Sequence, residues 1–318
     1  VRIGFLGGLS GRVTDLGIGG LNGVRLAVDL RNRAGGIKGR PIDLIEADDQ
    51  QDPEMARAAV ARLIDHKVIA IVGPMTSAMA VATVPLVDQA KLVMVSPTVT
   101  SEDLSGLDDY FFRVIPSTRD FVGTSAAYYH RVRGLRRVRL VYDLRNRSYT
   151  ESWLNEFNKA FSATGGELLD PVSFTSGDEL DFVSLARQSL AEKPDGIILA
   201  SNSVDAAMLC QSIRKLDATI ALGTSEWAAT ERLSELGGRS VEGITVAQFF
   251  DRQGTQPAYV AMHDAYVKRF GQTPGFAGLL AFDAANVIFD ALEKKGENQS
   301  LKQAILTQKT FSGVQKPI

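Results

Sequence analysis

Three hydroxyl residues, Ser77, Thr98 and Thr100, stand just past the ends of two short apolar runs. The first run, residues 68–72, is continuous and apolar, as in a strand buried on both faces. Gly73-Pro74 interrupts it, and Thr76-Ser77 falls where a helix begins. The second run, residues 92–96, ends in Ser96-Pro97, with Thr98 and Thr100 beyond it. A strand, a tight turn and a hydroxyl-bearing helix start leave backbone N–H groups aimed out of the strand's carboxyl end, which suits a carboxylate or another small anion. Neighbouring strands of an open parallel sheet open into one crevice at their carboxyl ends. Ser77, Thr98 and Thr100 are therefore expected to converge on one small polar ligand.

The elements that must hold these residues alternate along the chain. Residues 2–6 are a short apolar strand, followed by a polar loop through Ser10, Gly11 and Asp15. The spacing of Leu21, Val24, Val28 and Leu30 then predicts a helix stopped by Gly35-Gly36. Gly17, Gly19 and Gly23 do not have the spacing of a dinucleotide-binding loop, and the loop before them is too long for its tight turn. Residues 42–47 are the second strand. Asp48, Asp49 and Asp52 follow it without a partner at metal-ligand spacing, and Asp52 before Pro53 reads as a helix cap. Residues 78–89 are helical but contain Pro85, which should kink the helix or start a fresh segment. After a strand near 110–116, a helix over 120–133 opens a second series. Its strands are expected at 138–142, 167–174, 196–200 and 219–223, and its helices at 149–163, 181–191, 204–216 and 228–236. Residues 241–250 are apolar enough for a central strand or a return crossing, and helices over 257–270, 276–294 and 301–307 are left to cover the first sheet. Two β-α-β-α series imply an α/β protein of two Rossmann-like lobes, each with a parallel sheet.

The bulk numbers exclude several functions. A chain of 318 residues is long for one core, and its net charge of −2 gives no electrostatic case for nucleic acid or an anionic membrane. No apolar run reaches the roughly 20 residues of a membrane span. The single cysteine, Cys210, cannot form an internal disulfide and reads as a small buried hydrophobe on a helix. His66, His130 and His263 lie on separate helical stretches without metal or catalytic spacing. The chain opens at Val1 without an initiator Met or signal-like region and is expected to be a trimmed or mature form.

Several stretches together resemble the type I periplasmic binding proteins, in particular the branched-chain amino-acid receptors of ABC importers. They are Gly35-Gly-Ile-Lys-Gly-Arg-Pro-Ile, Asp48-Asp49 with Asp52-Pro53, Val72-Gly-Pro-Met-Thr-Ser, Ser96-Pro-Thr-Val-Thr and Ala281-Phe-Asp-Ala-Ala. The resemblance implies lobe I over 1–116 and 248–313, lobe II over 117–247 and 314–318, hinge strands between them, and a ligand cleft closed by hinge motion. It implies that Ser77, Thr98 and Thr100 grip an α-carboxylate and α-ammonium. It adds Tyr149 after the second lobe's first strand, Asn202 after the third, and Glu226 after the fourth as the ammonium's counter-charge. Leu16 stands where the family often has an aromatic, Gln51 and Thr76 lie near the positions of a cysteine pair some members carry, and Arg145 and Arg147 flank the expected cleft. The side-chain class therefore stays open between an amino acid and an acidic or plain carboxylate. The chain stops inside what resembles the final crossover, so the parent protein is expected to continue.

The function these readings imply is an extracytoplasmic, periplasmic solute receptor that presents its ligand to an ABC permease, with no cofactor and no metal. The alternative is the extracytoplasmic sensing domain of a signalling receptor. An enzyme is disfavoured because no nucleophile elbow, Walker loop, metal-binding pair or Cys/His constellation is present. A few hydroxyls and one acid can hold a zwitterion but do not make an activated nucleophile.

Overall fold

The computed structural model describes residues 1–318. The chain divides into two compact units, the first comprising Val1–Thr100, Leu104–Ile115 and Phe250–Ile318, and the second Ser101–Asp103 and Pro116–Phe249.

In the first unit the order is β1 (Arg2–Gly7), α1 (Asp15–Arg33), β2 (Asp43–Asp48), α2 (Pro53–Asp65), β3 (Ala70–Val72), α3 (Ser77–Gln89), β4 (Val93–Ser96) and β5 (Phe111–Arg113). The strands form one parallel sheet in the order β2-β1-β3-β4-β5. β1, β3 and β4 are apolar and buried almost throughout because helices cover both faces. Asp52 caps α2 by accepting from the backbone N–H of Glu54 and Met55, and Pro53 occupies the first helical position. The late helices α9 (Pro257–Phe270), α10 (Phe276–Lys294) and α11 (Leu301–Gln308) belong to this unit, with α10 packed on α1 and over β3 and β4. Gly23 explains part of the early glycine series: a Cβ there would lie 2.0 Å from the carbonyl oxygen of Gly278, so its absence lets α1 and α10 approach closely. α3 runs through Pro85 as one helix, so no fresh segment starts there. Pro85 and Val81 are both exposed, so the carbonyl deprived of a helical N–H faces water.

The second unit contains α4 (Thr118–Ala127), extended by a π turn over Tyr128–Val132, then β6 (Arg137–Asp143), α5 (Arg147–Ala163), β7 (Glu167–Phe174), α6 (Phe182–Leu190), β8 (Gly196–Ala200), α7 (Ser203–Leu216), β9 (Ala221–Thr224), α8 (Glu231–Gly237) and β10 (Thr245–Val246). Its parallel sheet has the order β10-β9-β8-β6-β7. One face is filled by Val141, Ile197, Leu199, Cys210, Ile213 and their neighbours. Each unit thus carries one five-stranded parallel sheet with flanking helices, as expected for two Rossmann-like lobes.

Two expectations are corrected. Residues 241–250 are not a central strand; only Thr245 and Val246 pair, against Gly223 and Thr224, so β10 is a short edge. A 3-10 turn over Gly238–Val241 and a left-handed Gly243 (φ +72°) precede that pair, and residues 247–250 form no strand. Residues 314–318 pack with the first unit, not the second. Phe311 and Ile318 exchange backbone hydrogen bonds, Val314 N–H donates to Asp283 of α10, and Gln315 is tied to Asp251.

Gly73, directly after β3, has φ +123°, and a Cβ there would lie 2.2 Å from the carbonyl oxygen of Leu6 in β1. Gly73→Ala is therefore expected to lose on the order of 3 kcal/mol of stability in urea unfolding. Gly177→Ala, where an added Cβ meets nothing within 4 Å, should change stability by less than about 0.5 kcal/mol.

Candidate ligand-binding site

In the first unit the turns after β3 and β4 are stitched together by hydroxyl groups. β3 and β4 are direct neighbours, with Val72 opposite Val95. Ser96 Oγ donates to the carbonyl of Pro74 at 2.7 Å and accepts from Val99 N–H at 3.2 Å. Thr98 Oγ1 donates to the carbonyl of Met75 at 2.6 Å. These bonds hold the segment carrying Thr98 and Thr100 against the segment leading to Ser77. Thr76 is the N-cap of α3 but makes no side-chain cap bond, and Ser77 is the first helical residue and is buried. Thr98 spends its hydroxyl proton on the turn. Thr100 differs: its Oγ1 is buried and has no hydrogen-bond partner. A buried hydroxyl left unsatisfied costs about 1–3 kcal/mol, so it marks a place where a polar group is wanted.

In the second unit Tyr149 and Glu226 meet. Tyr149 is in the first turn of α5, and Glu226 opens a short 3-10 turn (Glu226–Ala228) that follows β9 after Ser225. The Tyr149 hydroxyl donates to Glu226 Oε1 at 2.6 Å, and the Trp153 indole Nε1–H donates to Oε2 at 3.2 Å. Trp227 packs edge-on to Tyr149 at 5.7 Å. Glu226 is only 4% exposed and no cation pairs with it. Burial pushes its carboxyl up to about 7, with the bonds from Tyr149, from its own backbone and from Trp153 opposing that rise. Burial and the adjacent carboxylate hold the Tyr149 hydroxyl well above the ordinary tyrosine range.

Asn202 does not join this pair. It caps α7: its Oδ1 accepts from Asp205 N–H at 2.9 Å, and its Nδ2 donates to Asp205 Oδ2 at 2.7 Å and to Ser176 Oγ at 3.4 Å. Arg147 is exposed and paired with Glu151 one helical turn on, and Arg145 is also exposed. The acids at the end of β2 are engaged as well. Asp48 accepts from Leu9 N–H, Gln50 N–H and the Ser10 hydroxyl, and Asp49 from Gln51 N–H. Trp153 escaped the sequence reading. Its signal was the run Tyr149, Trp153, Phe157, Phe161, an aromatic every fourth residue along one face of α5. In that run Trp153 stacks on Phe157 at 4.9 Å and Phe157 on Phe161 at 5.3 Å.

The raised Glu226 carboxyl has a signed consequence. Between about pH 4.5 and 7 the folded chain holds a proton that the unfolded chain has released, so stability falls as pH rises through that window. A carboxyl raised from 4.5 to about 7 contributes roughly 3 kcal/mol of that fall. Asp283, raised to about 7, and Asp49 and Asp143, raised to about 6, add slopes of the same sign. Urea unfolding of Glu226→Gln across pH 4.5–8 should therefore show a shallower decline than the parent. An unchanged slope would mean that Glu226 is not the group titrating there.

Comparison with known proteins agrees with this architecture. The family model described as periplasmic binding protein matches residues 1–318. The chain is 25% identical over 298 residues to the Leu/Ile/Val-binding protein BraC3 of Rhizobium johnstonii, covering 93% of this chain and 80% of that protein. Among solved structures, a leucine-binding protein, LivK, from Thermotoga maritima superposes with a TM-score of 0.91 at 25% identity, covering 99% of this chain and 89% of that one. An ABC transporter substrate-binding protein from Desulfitobacterium hafniense in complex with Leu has a TM-score of 0.81 at 25% identity, covering 100% and 91%. With two five-stranded parallel sheets and a match over its whole length, the chain belongs to the periplasmic binding protein family.

Proposed function

We propose that this chain is the solute-binding protein of an ABC importer: it captures a small amino acid or related carboxylate in the periplasm and presents it to a membrane permease. The observation that carries the reading is Glu226, a buried carboxylate gripped by two neutral donors and lacking a positive partner. Ionised and desolvated, it favours an ammonium group arriving with the ligand, and a charge-assisted hydrogen bond of that kind contributes about 1.5–3 kcal/mol. On the other unit, the unsatisfied hydroxyl of Thr100 and the start of α3 at Ser77 suit a carboxylate. Thr98 acts by holding the turn. In this reading Ser77 and Thr100, on the turns that Thr98 holds, receive the ligand's carboxylate and Glu226 its ammonium. Tyr149 orients the Glu226 carboxylate, and Asn202 shapes the loop after β8 through its cap. Relatives named as Leu/Ile/Val-binding proteins and a neighbour solved with Leu favour an apolar amino acid.

A thermal-shift panel of the twenty amino acids and simple aromatic acids tests this. At a thousand times Kd a true ligand adds about 4 kcal/mol of apparent stability, so a few members should raise Tm by several degrees; no rise across the panel would defeat the proposal. For any amino acid that binds, calorimetric titration of Glu226→Gln should show a Kd roughly 10- to 150-fold weaker. Thr100→Val should weaken it less, by roughly 2- to 10-fold. Binding by the parent should weaken as pH falls below about 7, where Glu226 takes up its proton.

A further inference from the structure

The stretch Ala281-Phe-Asp-Ala-Ala has no part in the proposed amino-acid site, yet it carries a buried acid. Asp283, in the middle of α10, is 5% exposed. Its carboxyl accepts from one group, the backbone N–H of Val314, at 3.1 Å to Oδ1 and 3.4 Å to Oδ2. That N–H belongs to a strap, residues 311–318, whose ends are joined by Phe311 N–H donating to the Ile318 carbonyl and Ile318 N–H to that of Phe311, each at 2.9 Å. Phe311 and Val314 are both buried. Gly313 lets the strap come down on the acid: a Cβ there would lie 2.9 Å from Asp283 Oδ2 and 2.4 Å from the Lys316 carbonyl oxygen. Gln315 ties the strap to a second place. Its Oε1 accepts from Asp251 N–H at 3.1 Å and its Nε2 donates to the Asp251 carbonyl at 2.6 Å. Asp251 is the second residue of the first unit after the chain leaves the other unit at Phe249.

No charge offsets this acid. The elements packed on α10 are α1, α11, β3 and β4, and the two strands carry no ionisable residue. On the helices Arg25, Asp29, Arg31 and Lys302 are paired with Glu46, Arg269, Asp290 and Asp108. Asp15 and Arg33 of α1, Lys316 of the strap, and Asp251 and Arg252 do not bond to Asp283 either. Burial therefore dominates and pushes the carboxyl up to about 7, with only the Val314 N–H opposing it. Once the strap lifts and water reaches Asp283, the carboxyl returns to the ordinary range near 4. Lifting is then linked to proton release: it is least favoured at low pH and gains as pH rises from about 4 toward 7. We propose that residues 311–318 are a proton-gated latch, docked on α10 while Asp283 is neutral and released, together with its hold on Asp251, as Asp283 ionises. The latch involves none of the residues assigned to the amino-acid site and does not depend on that reading.

The test is amide hydrogen exchange on the isotopically labelled full chain between pH 5.5 and 7.5, corrected for the intrinsic exchange rate. In the parent, protection at Asp251, Val314 and Ile318 should fall by about 10-fold or more across that range. Asp283→Asn keeps an oxygen that accepts from Val314 N–H and cannot ionise. Its protection at the same amides should change by less than about 3-fold and exceed the parent's at pH 7.5. Carbon NMR of the parent's Asp283 carboxyl should give a midpoint near 7, with the Val314 amide shift following the same curve. Protection that does not vary with pH, or that falls equally in Asp283→Asn, would overturn the proposal. So would an Asp283 midpoint in the ordinary carboxylate range, a result that the parent alone supplies. None of these readings changes if the amino-acid panel fails.

Discussion

Glu226 is an ionisable group taken out of water with two neutral hydrogen-bond donors and no counter-ion. Solvation of a charge is hard to replace, and two neutral hydrogen bonds replace it only in part. The surrounding rings follow from that constraint. Tyr149 and Trp153 must stand on one face of α5 to reach both carboxylate oxygens, and the Trp153-Phe157-Phe161 stack continues that face down the helix. Trp227, next in sequence, closes over Tyr149. Leaving the carboxyl buried without a counter-ion costs stability once it ionises.

The first unit solves a related problem with neutral groups. Its strand-end turns are locked by Ser96 and Thr98, whose hydroxyls satisfy the carbonyls of Pro74 and Met75. The lock leaves Thr100 Oγ1 buried and without a partner. Rigid backbone beside an unsatisfied donor is the arrangement that preorganised binding sites use, because little further ordering is lost when the ligand arrives.

Much of this was legible because the local signals were strong. β7 and β8 fall where apolar runs bounded by turn residues placed them, and Asp52-Pro53 capped its helix as the pattern requires. Pro85 misled because its effect depends on exposure, and an exposed carbonyl tolerates the missing N–H. Of the two readings of residues 241–250, the central strand failed because apolar composition does not distinguish a strand from a turn that packs on a core, while the chain does return to the first unit there. Asn202 was placed correctly at a strand end, yet its amide is committed to capping α7, and nothing in residue type separates a cap from a ligand contact.

The sequence by itself determined the alternation of strands and helices, the parallel sheets and the position of hydroxyls and an acid after particular strands. Those properties depend on periodicity, glycine, proline and caps, which act over a few residues. Only the tertiary structure decided that Tyr149 and Trp153 meet Glu226 across more than seventy residues of chain, that no cation joins them, and that Thr100 is left unpaired. Such facts concern which groups share a desolvated volume, and that is fixed by packing between elements distant in sequence.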